Sequence, residues 1–403
     1  MKISAFTILS SLAIILPACS EVDNQPAPLP AVCPVEWESV PLSSIDAHNI
    51  DKANGFALDL FKKSFAAEPE NLCLSPVSVF AALAMSANGD NGAARNNVLD
   101  VLGYGHDGLS ELNIYCNALL TETRSLNGTT DCEYANSLWY SPDVAINPVF
   151  ASNIKNIFDA DIFRTTLSDM NGMKEINRYI SDHTHGLIPE FLTSPLDIRV
   201  AMINTTYFKG AWKEAFDKNL TARGSFRNLD GSVSDAQYMH REGKIDYAAT
   251  DGIQSIRLPY LGDRFTMTII MPEAEGDFDS MLSQLSAASL RNLDSQYKST
   301  EALIGIPRFE ASVSLELLDR LNEMGLNNKG FNGISENESF FIVTVRHGVR
   351  LIVDEEGTEA AGATMVGVEN ACPNFIIFEN PFIYIIRDTI SDTILFIGAV
   401  TKF

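Results

Sequence analysis

The chain has 403 residues, 46% of them hydrophobic and 9% aromatic, the composition of a globular protein with a substantial core rather than of a disordered one. Lys and Arg number 29 against 52 Asp and Glu, a formal charge of −23. That excess repels phosphate backbones and anionic glycans, and no basic stripe offsets it, so nucleic acids and heparin-like partners are not expected.

The N-terminus carries an export signal. Met1-Lys2 precedes an apolar run from Ile3 to Pro17, and the run ends in LPAC, Leu16 to Cys19. It is too short to span a bilayer comfortably. A Cys directly after small residues resembles the lipobox of bacterial lipoproteins, in which Cys19 is the lipid-carrying first mature residue; the alternative is an ordinary signal peptide with a chance Cys. The expected divisions are a signal over 1–19, an extended acidic and Pro-rich tether over 20–44, and one domain over 45–403. Such a chain is anchored in the bacterial envelope, at the outer-membrane surface or in the periplasm, and touches membrane only through its lipid.

After the tether, IDKANGFALDLFKKSF has Ile50, Phe56, Leu58, Leu60 and Phe61 at helical spacing. In NLCLSPVSVFAALAMSANG a short apolar run breaks at Ser75-Pro76, where Pro suits a first helical turn and Ser75 can cap it. EYANSLWYS reads as a strand, INRYISDHTHGLIPEFL as a helix ending near Gly186, and VAMINTTYFKGAW as a strand buried on both faces. IQSIRLPY and FTMTIIMPE are strands joined by a turn at Leu261-Gly262-Asp263. VSLELLDRLNEMGL reads as an amphipathic helix closed by Gly325, and FIYIIRDTISDTILFIGAV as a terminal hairpin. Helices dominate the first half and strands the second, without βαβ alternation, so the fold class is α+β.

Six cysteines occupy positions 19, 33, 73, 116, 132 and 372. Export permits disulfides, and Cys116 and Cys132 are close enough in sequence to be candidates. Cys73 sits in an apolar segment and reads as buried and unpaired. No zinc-type spacing occurs. His183 and His185 in DHTHG stand two apart, not the four apart of a helical metal pair, and read as a polar, solvent-exposed helix end. GxSxG, GxGxxG and Walker loops are absent from the sequence, and Glu355-Glu356 would point to opposite faces of a strand. Neither an enzyme nor a cofactor is expected.

Several segments together resemble the serpin family of serine protease inhibitors. NLCLSPVSVFAALAMSANG is similar to that family's helix-B start, VAMINTTYFKGAW to its NxxYFKGxW strand, and LPYLGDRFTMTIIMPE to its LPY…MxxxLP strands. IPRFEASVSLELLDRLNEMGL, VRHGVRLIVDEEGTEAAGAT and ENPFIYIIRDTISDTILFIGAV follow in the family's order, covering nearly everything after Ile45. The resemblance implies three β-sheets, about nine helices and a reactive loop over about 355–378. It also implies a monomer whose partners are target proteases, trapped as covalent acyl-enzymes when the cleaved loop enters the central sheet as a new strand.

The residues must permit that insertion. Thr358, Ala360, Gly362, Thr364, Val366 and Val368 form one uncharged face at period 2. Glu359, Ala361, Ala363, Met365, Gly367 and Glu369 form the other, which holds both charges. The hinge is Glu356 to Thr364. By resemblance the scissile residue lies fourteen after Gly357, at Ala371-Cys372, with Asn370-Ala371 as the alternative because the following segment is about one residue short. Ala suits an elastase-like or subtilisin-like protease with a small primary pocket, whereas Asn suits an asparagine-specific cysteine protease. The resemblance also maps a sheet-opening cluster onto Ser75, Ser78, Asn204 and His347, and the loop's point of entry onto Trp212. Arg308 stands where the family usually has Lys.

Overall fold

Local chemistry marks where the helices begin. Pro76 and Pro148 stand at the first turn of their helices, where a missing N–H costs nothing. Asn147 caps the second of these, and Asp46, Asp169 and Ser286 cap three others, each accepting from backbone N–H groups two or three residues on. The structure, a computed structural model, describes residues 39–90, 92–125, 128–273, 278–327, 330–358 and 374–403.

In chain order the elements are α1 (Ala47–Ala67), β1 (Leu72–Leu74), α2 (Pro76–Ala87), α3 (Ala93–Val101), α4 (Leu109–Glu122), β2 (Thr130–Tyr140), α5 (Pro148–Phe158), β3 (Asp161–Arg164), α6 (Met170–His183), β4 (Val200–Ala211), β5 (Ala222–Arg227) and β6 (Val233–Thr250). They continue with β7 (Ile253–Pro259), β8 (Phe265–Pro272), α7 (Phe278–Gln284), α8 (Ala287–Gln296), β9 (Lys298–Pro307), β10 (Phe309–Glu316), α9 (Leu318–Glu323), β11 (Arg346–Val353), β12 (Gly357–Thr358), β13 (Asn374–Ile377), β14 (Phe382–Asp388) and β15 (Ile394–Val400). Nine α-helices among the described residues and mixed sheets give the α+β architecture expected, with two sheets where the resemblance implied three, because the long strand β6 joins two of them into one.

One sheet has nine strands, β1-β15-β14-β8-β7-β6-β9-β13 with β5 also on β6. The first part of β6 pairs with β5 and its last part with β7, while β9 runs along much of its other edge, so β6 belongs to both halves of the sheet. The second sheet has the order β10-β11-β12-β4-β2-β3. Alternation divides its faces. Tyr134, Leu138 and Phe208 enter the main core, whereas Ala135, Trp139, Ala201 and Ile203 enter a smaller core with Met173, Ile176 and Ile180 of α6. Thus α6 covers one face of the central sheet, and α2 and the nine-stranded sheet lie behind the other.

Three local expectations are corrected. Val313 to Glu316 belong to β10, paired with β11 from Val349 to Arg346, so the helix is only Leu318–Glu323; the ladder's backbone hydrogen bonds outweigh the segment's helical periodicity. Ser75 precedes α2 but its side chain caps nothing, and its Oγ is buried without a partner. Cys116 and Cys132 are both buried and free, held on α4 and β2, and burial raises both thiols, Cys132 to about 12. Cys73 is buried and free as its apolar context implies.

Candidate functional site

The hinge begins with a turn written into DEEG. The Asp354 carboxylate accepts from the N–H groups of Glu356 (2.9 Å) and Gly357 (3.2 Å), and Asp354 N–H donates to Gly357 O at 2.9 Å. Gly357 has φ +151°, and a Cβ there would lie 2.0 Å from Gly210 O. Only glycine lets the backbone approach β4 that closely.

The turn delivers Gly357 and Thr358 between two strands. Gly357 pairs with Ala211 and Thr358 with Gly210 on β4, while Thr358 pairs with Val353 on β11. Thr358 is 1% exposed and its Oγ1 lies 2.7 Å from the Tyr260 hydroxyl. Trp212 roofs this junction. Its ring stacks on Tyr260 with centroids 4.6 Å apart, its Nε1 donates to Asp354 O at 2.9 Å, and its backbone N–H donates to Glu356 O at 2.9 Å.

Two charged contacts hold the same turn. Glu355 is 1% exposed and accepts from Arg308 Nε at 2.7 Å and from the Thr221 hydroxyl. Burial alone would raise its carboxyl, but these donors outweigh burial and hold it below the usual range. Glu356 pairs with Lys218.

Among the described residues, the sheet is open below Thr358. Among the described residues, β12 is the only hydrogen-bonded link between β11 and β4. A cavity of about 130 Å³ lies where further links would be, lined by Ser78, Leu83, Met202, Asn204, Val345 and His347 among others. Three of the four residues assigned to sheet opening, Ser78, Asn204 and His347, line this gap, Ser75 is tied to it only through His347, and the four do not form one network. His347 Nε2 accepts from Ser75 N–H at 3.1 Å, Ser78 Oγ lies 2.8 Å from Thr206 Oγ1, and Asn204 Nδ2 donates to Asn136 Oδ1. Burial keeps the His347 imidazole neutral, with its pKa pushed down to about 4.

Sequence reasoning did not assign roles to Tyr260, Thr206, Asn136, Thr221 or Lys218. Tyr260 lies in the quoted LPY motif, which was the available signal; the others become visible only through cross-strand register. Hinge residues Glu359, Ala360, Ala361, Gly362, Ala363 and Thr364, the bond candidates Asn370, Ala371 and Cys372, and the lipid candidate Cys19 all lie outside the described residues.

This arrangement is that of a serpin. Residues 51–403 match the family described as serpin (serine protease inhibitor), and the chain belongs to that family, whose members are generally protease inhibitors. An uncharacterized serpin-like protein of Thermococcus kodakarensis is 29% identical over 363 residues, covering 87% of this chain and 84% of the relative. Among solved structures, the native state of tengpin, a thermophilic serpin, superposes with a TM-score of 0.81 at 24% identity, covering 89% of this chain and 95% of that one. Thyroxine-binding globulin in complex with thyroxine superposes with a TM-score of 0.80 at 21% identity, covering 88% and 98%.

Proposed function

We propose that this chain is a suicide-substrate inhibitor that traps serine proteases with a small primary pocket, elastase-like or subtilisin-like, as acyl-enzymes. The observation that carries this reading is β12: the first two strand residues of the hinge are already seated between β4 and β11, directly above a gap that the described residues leave in the same sheet.

Register arithmetic supports it. Gly357 opposite Ala211 and Thr358 opposite Gly210 define an antiparallel register on β4. A strand continued from β12 in that register sets Ala360, Gly362, Thr364, Val366 and Val368 opposite Phe208, Thr206, Asn204, Met202 and Val200. Phe208 enters the main core, and Met202 and Val200 pack against it. The same count sets Glu359 opposite Lys209 and Glu369 opposite Arg199, both opposite-charge cross-strand pairs. Insertion would thus extend two ladders, put uncharged residues into the core and leave both carboxylates facing cations. Each new hydrogen bond contributes about 0.5–1.5 kcal/mol net, which drives the cleaved loop into the sheet. The attached protease is carried along before its ester hydrolyses.

Cleavage after Ala371 fits the small-pocket targets; cleavage after Asn370 would instead direct the protein to asparagine-specific cysteine proteases. The test is to incubate the full chain with an elastase-like or subtilisin-like protease and look for an SDS-resistant band near the summed masses. Loop cleavage without that band refutes trapping and favours a second reading, a non-inhibitory serpin acting as a binding or carrier protein, the role that the name thyroxine-binding globulin describes for one structural neighbour. Mass spectrometry of the released C-terminal peptide distinguishes Ala371 from Asn370. We place the inhibitor at the bacterial envelope, tethered through Cys19; palmitate labelling of the wild type, absent from Cys19→Ser, tests that placement.

A further inference from the structure

The DHTHG motif is not a free polar helix end. His183 closes α6, Gly186 takes φ +83° just after it, and the chain turns back over the sheet. Both imidazoles reach one carboxylate on β2: His183 Nδ1 lies 3.0 Å from Glu133 Oε1, and His185 Nε2 lies 3.3 Å from Glu133 Oε2. The Glu133 side chain is 10% exposed, against 32% and 52% for the two histidines. Ring contacts extend the contact on both sides. His183 packs on Tyr179 with centroids 4.4 Å apart, and His185 packs on Tyr207 of β4 at 4.5 Å. Glu133 and Tyr207 are directly opposite in the β2–β4 ladder.

The trio therefore bridges α6, β2 and β4 beside the edge of β4 that faces the gap. The segment that follows α6 and His185 lies over that gap, where Phe191 and Leu192 line it and Leu187 O accepts from Arg350 of β11, so an entering strand passes beneath this segment. We propose that His183, His185 and Glu133 form a proton-operated latch that fastens α6 to the central sheet, tightens in mild acid and slows strand entry beside β4. This inference rests on the trapping reading for its consequence, but the latch itself is measurable without a protease.

Protonating an imidazole that faces the Glu133 carboxylate turns a hydrogen bond with one charged partner into an ion pair with two. A nearly buried carboxylate held by two imidazolium groups resists losing both at once. The surrounding charges come from every packed element. Asp182 stands on α6, Glu190 follows it, and Asp131 shares the Glu133 face of β2. Asp161 of β3 accepts from the Tyr179 hydroxyl at 3.2 Å, and Lys209 shares the Tyr207 face of β4. Arg350 of β11 donates to Leu187 O at 3.4 Å and pairs with Glu310 of β10. Carboxyls, amines, guanidinium groups and phenols ordinarily titrate outside pH 5.5–7.5, whereas imidazoles titrate within it. His347 stays neutral there, with a pKa of about 4.

The test compares wild type with His183→Gln/His185→Gln and with the near-isosteric Glu133→Gln. Hydrogen exchange of the last turn of α6, corrected for intrinsic rates, reads opening of the latch in the intact protein. Between pH 7.5 and 5.5 the wild-type opening constant falls about tenfold, the scale of two bonds gaining charge, and both variants show a flat profile. With an elastase-like protease, the fraction cleaved without complex rises on acidification more in wild type than in the variants, which cancels the protease's own pH dependence. An unchanged wild-type profile, a pH dependence shared by the variants, or equal partitioning in all three proteins overturns the proposal. If no protease forms a complex at all, the trapping reading fails while the exchange data still decide the latch.

Discussion

The Tyr260 hydroxyl and Thr358 Oγ1 lie 2.7 Å apart, and this pair sets which face of the hinge looks into the protein. Trp212 stacks over Tyr260, so the pair is closed off from solvent and Thr358 is 1% exposed. A side chain at 358 must be small and uncharged.

Thr358→Arg forces a guanidinium toward a buried phenol and costs several kcal/mol in any state that seats residue 358 in the sheet. The native fold persists with residue 358 displaced, the loop is cleaved at an unchanged rate, and the SDS-resistant complex disappears. Thr358→Ser, which keeps the hydroxyl, retains complex formation. Gel assays of both variants with one protease check this.

Gly357→Ala meets Gly210 O with its new methyl group and holds a strained φ. The expected cost is about 1–3 kcal/mol. It shows as a lower urea midpoint, and the emission of Trp212 shifts because its Asp354 and Glu356 bonds depend on the turn.

Arg308→Ala leaves the Glu355 carboxylate buried with only the Thr221 hydroxyl and local backbone to satisfy it. Arg308 is itself 45% exposed, which screens the pair, so the loss is about 2–3 kcal/mol at the low end for a broken buried pair. Arg308→Lys recovers more than half. Because the folded carboxyl lies below its unfolded value, the pair's contribution is present above the ordinary Glu range and is lost as pH falls below that range through the folded value. Urea titrations at pH 7 and pH 4 read both effects.

His347 gives an acid dependence of its own. Its folded pKa is about 4 against about 6.5 unfolded, so the neutral form stabilises the fold fully above pH 6.5 and the contribution is lost between 6.5 and 4. The shift corresponds to about 3 kcal/mol. Protonation also removes the acceptor for Ser75 N–H. In His347→Gln the same pH interval costs correspondingly less, as denaturant midpoints measured every half pH unit will show.

Much of the fold is legible along the chain because its signals are local. Pro76 and Pro148 mark helix starts, Gly262 and Asp263 take the positive φ that their turn requires, and the alternation of VRLIVDE matches β11. Where two local patterns competed, as in VSLEL, strand pairing with β11 decided, and no single-segment reading contains that partner.

The sequence by itself carried the hinge pattern: a glycine at 357, a period-2 face without charge, and an order of motifs that resembles one family. These follow from side-chain size, charge and backbone freedom at consecutive positions. Only the tertiary structure decided what the hinge meets. It placed Tyr260 under Thr358, Arg308 on Glu355, an open gap between β4 and β11, and Glu133 between two histidines about fifty residues away. Those pairings depend on strand register and on the packing of α6 across β2 and β4, which bring distant residues together through contacts that no local pattern encodes.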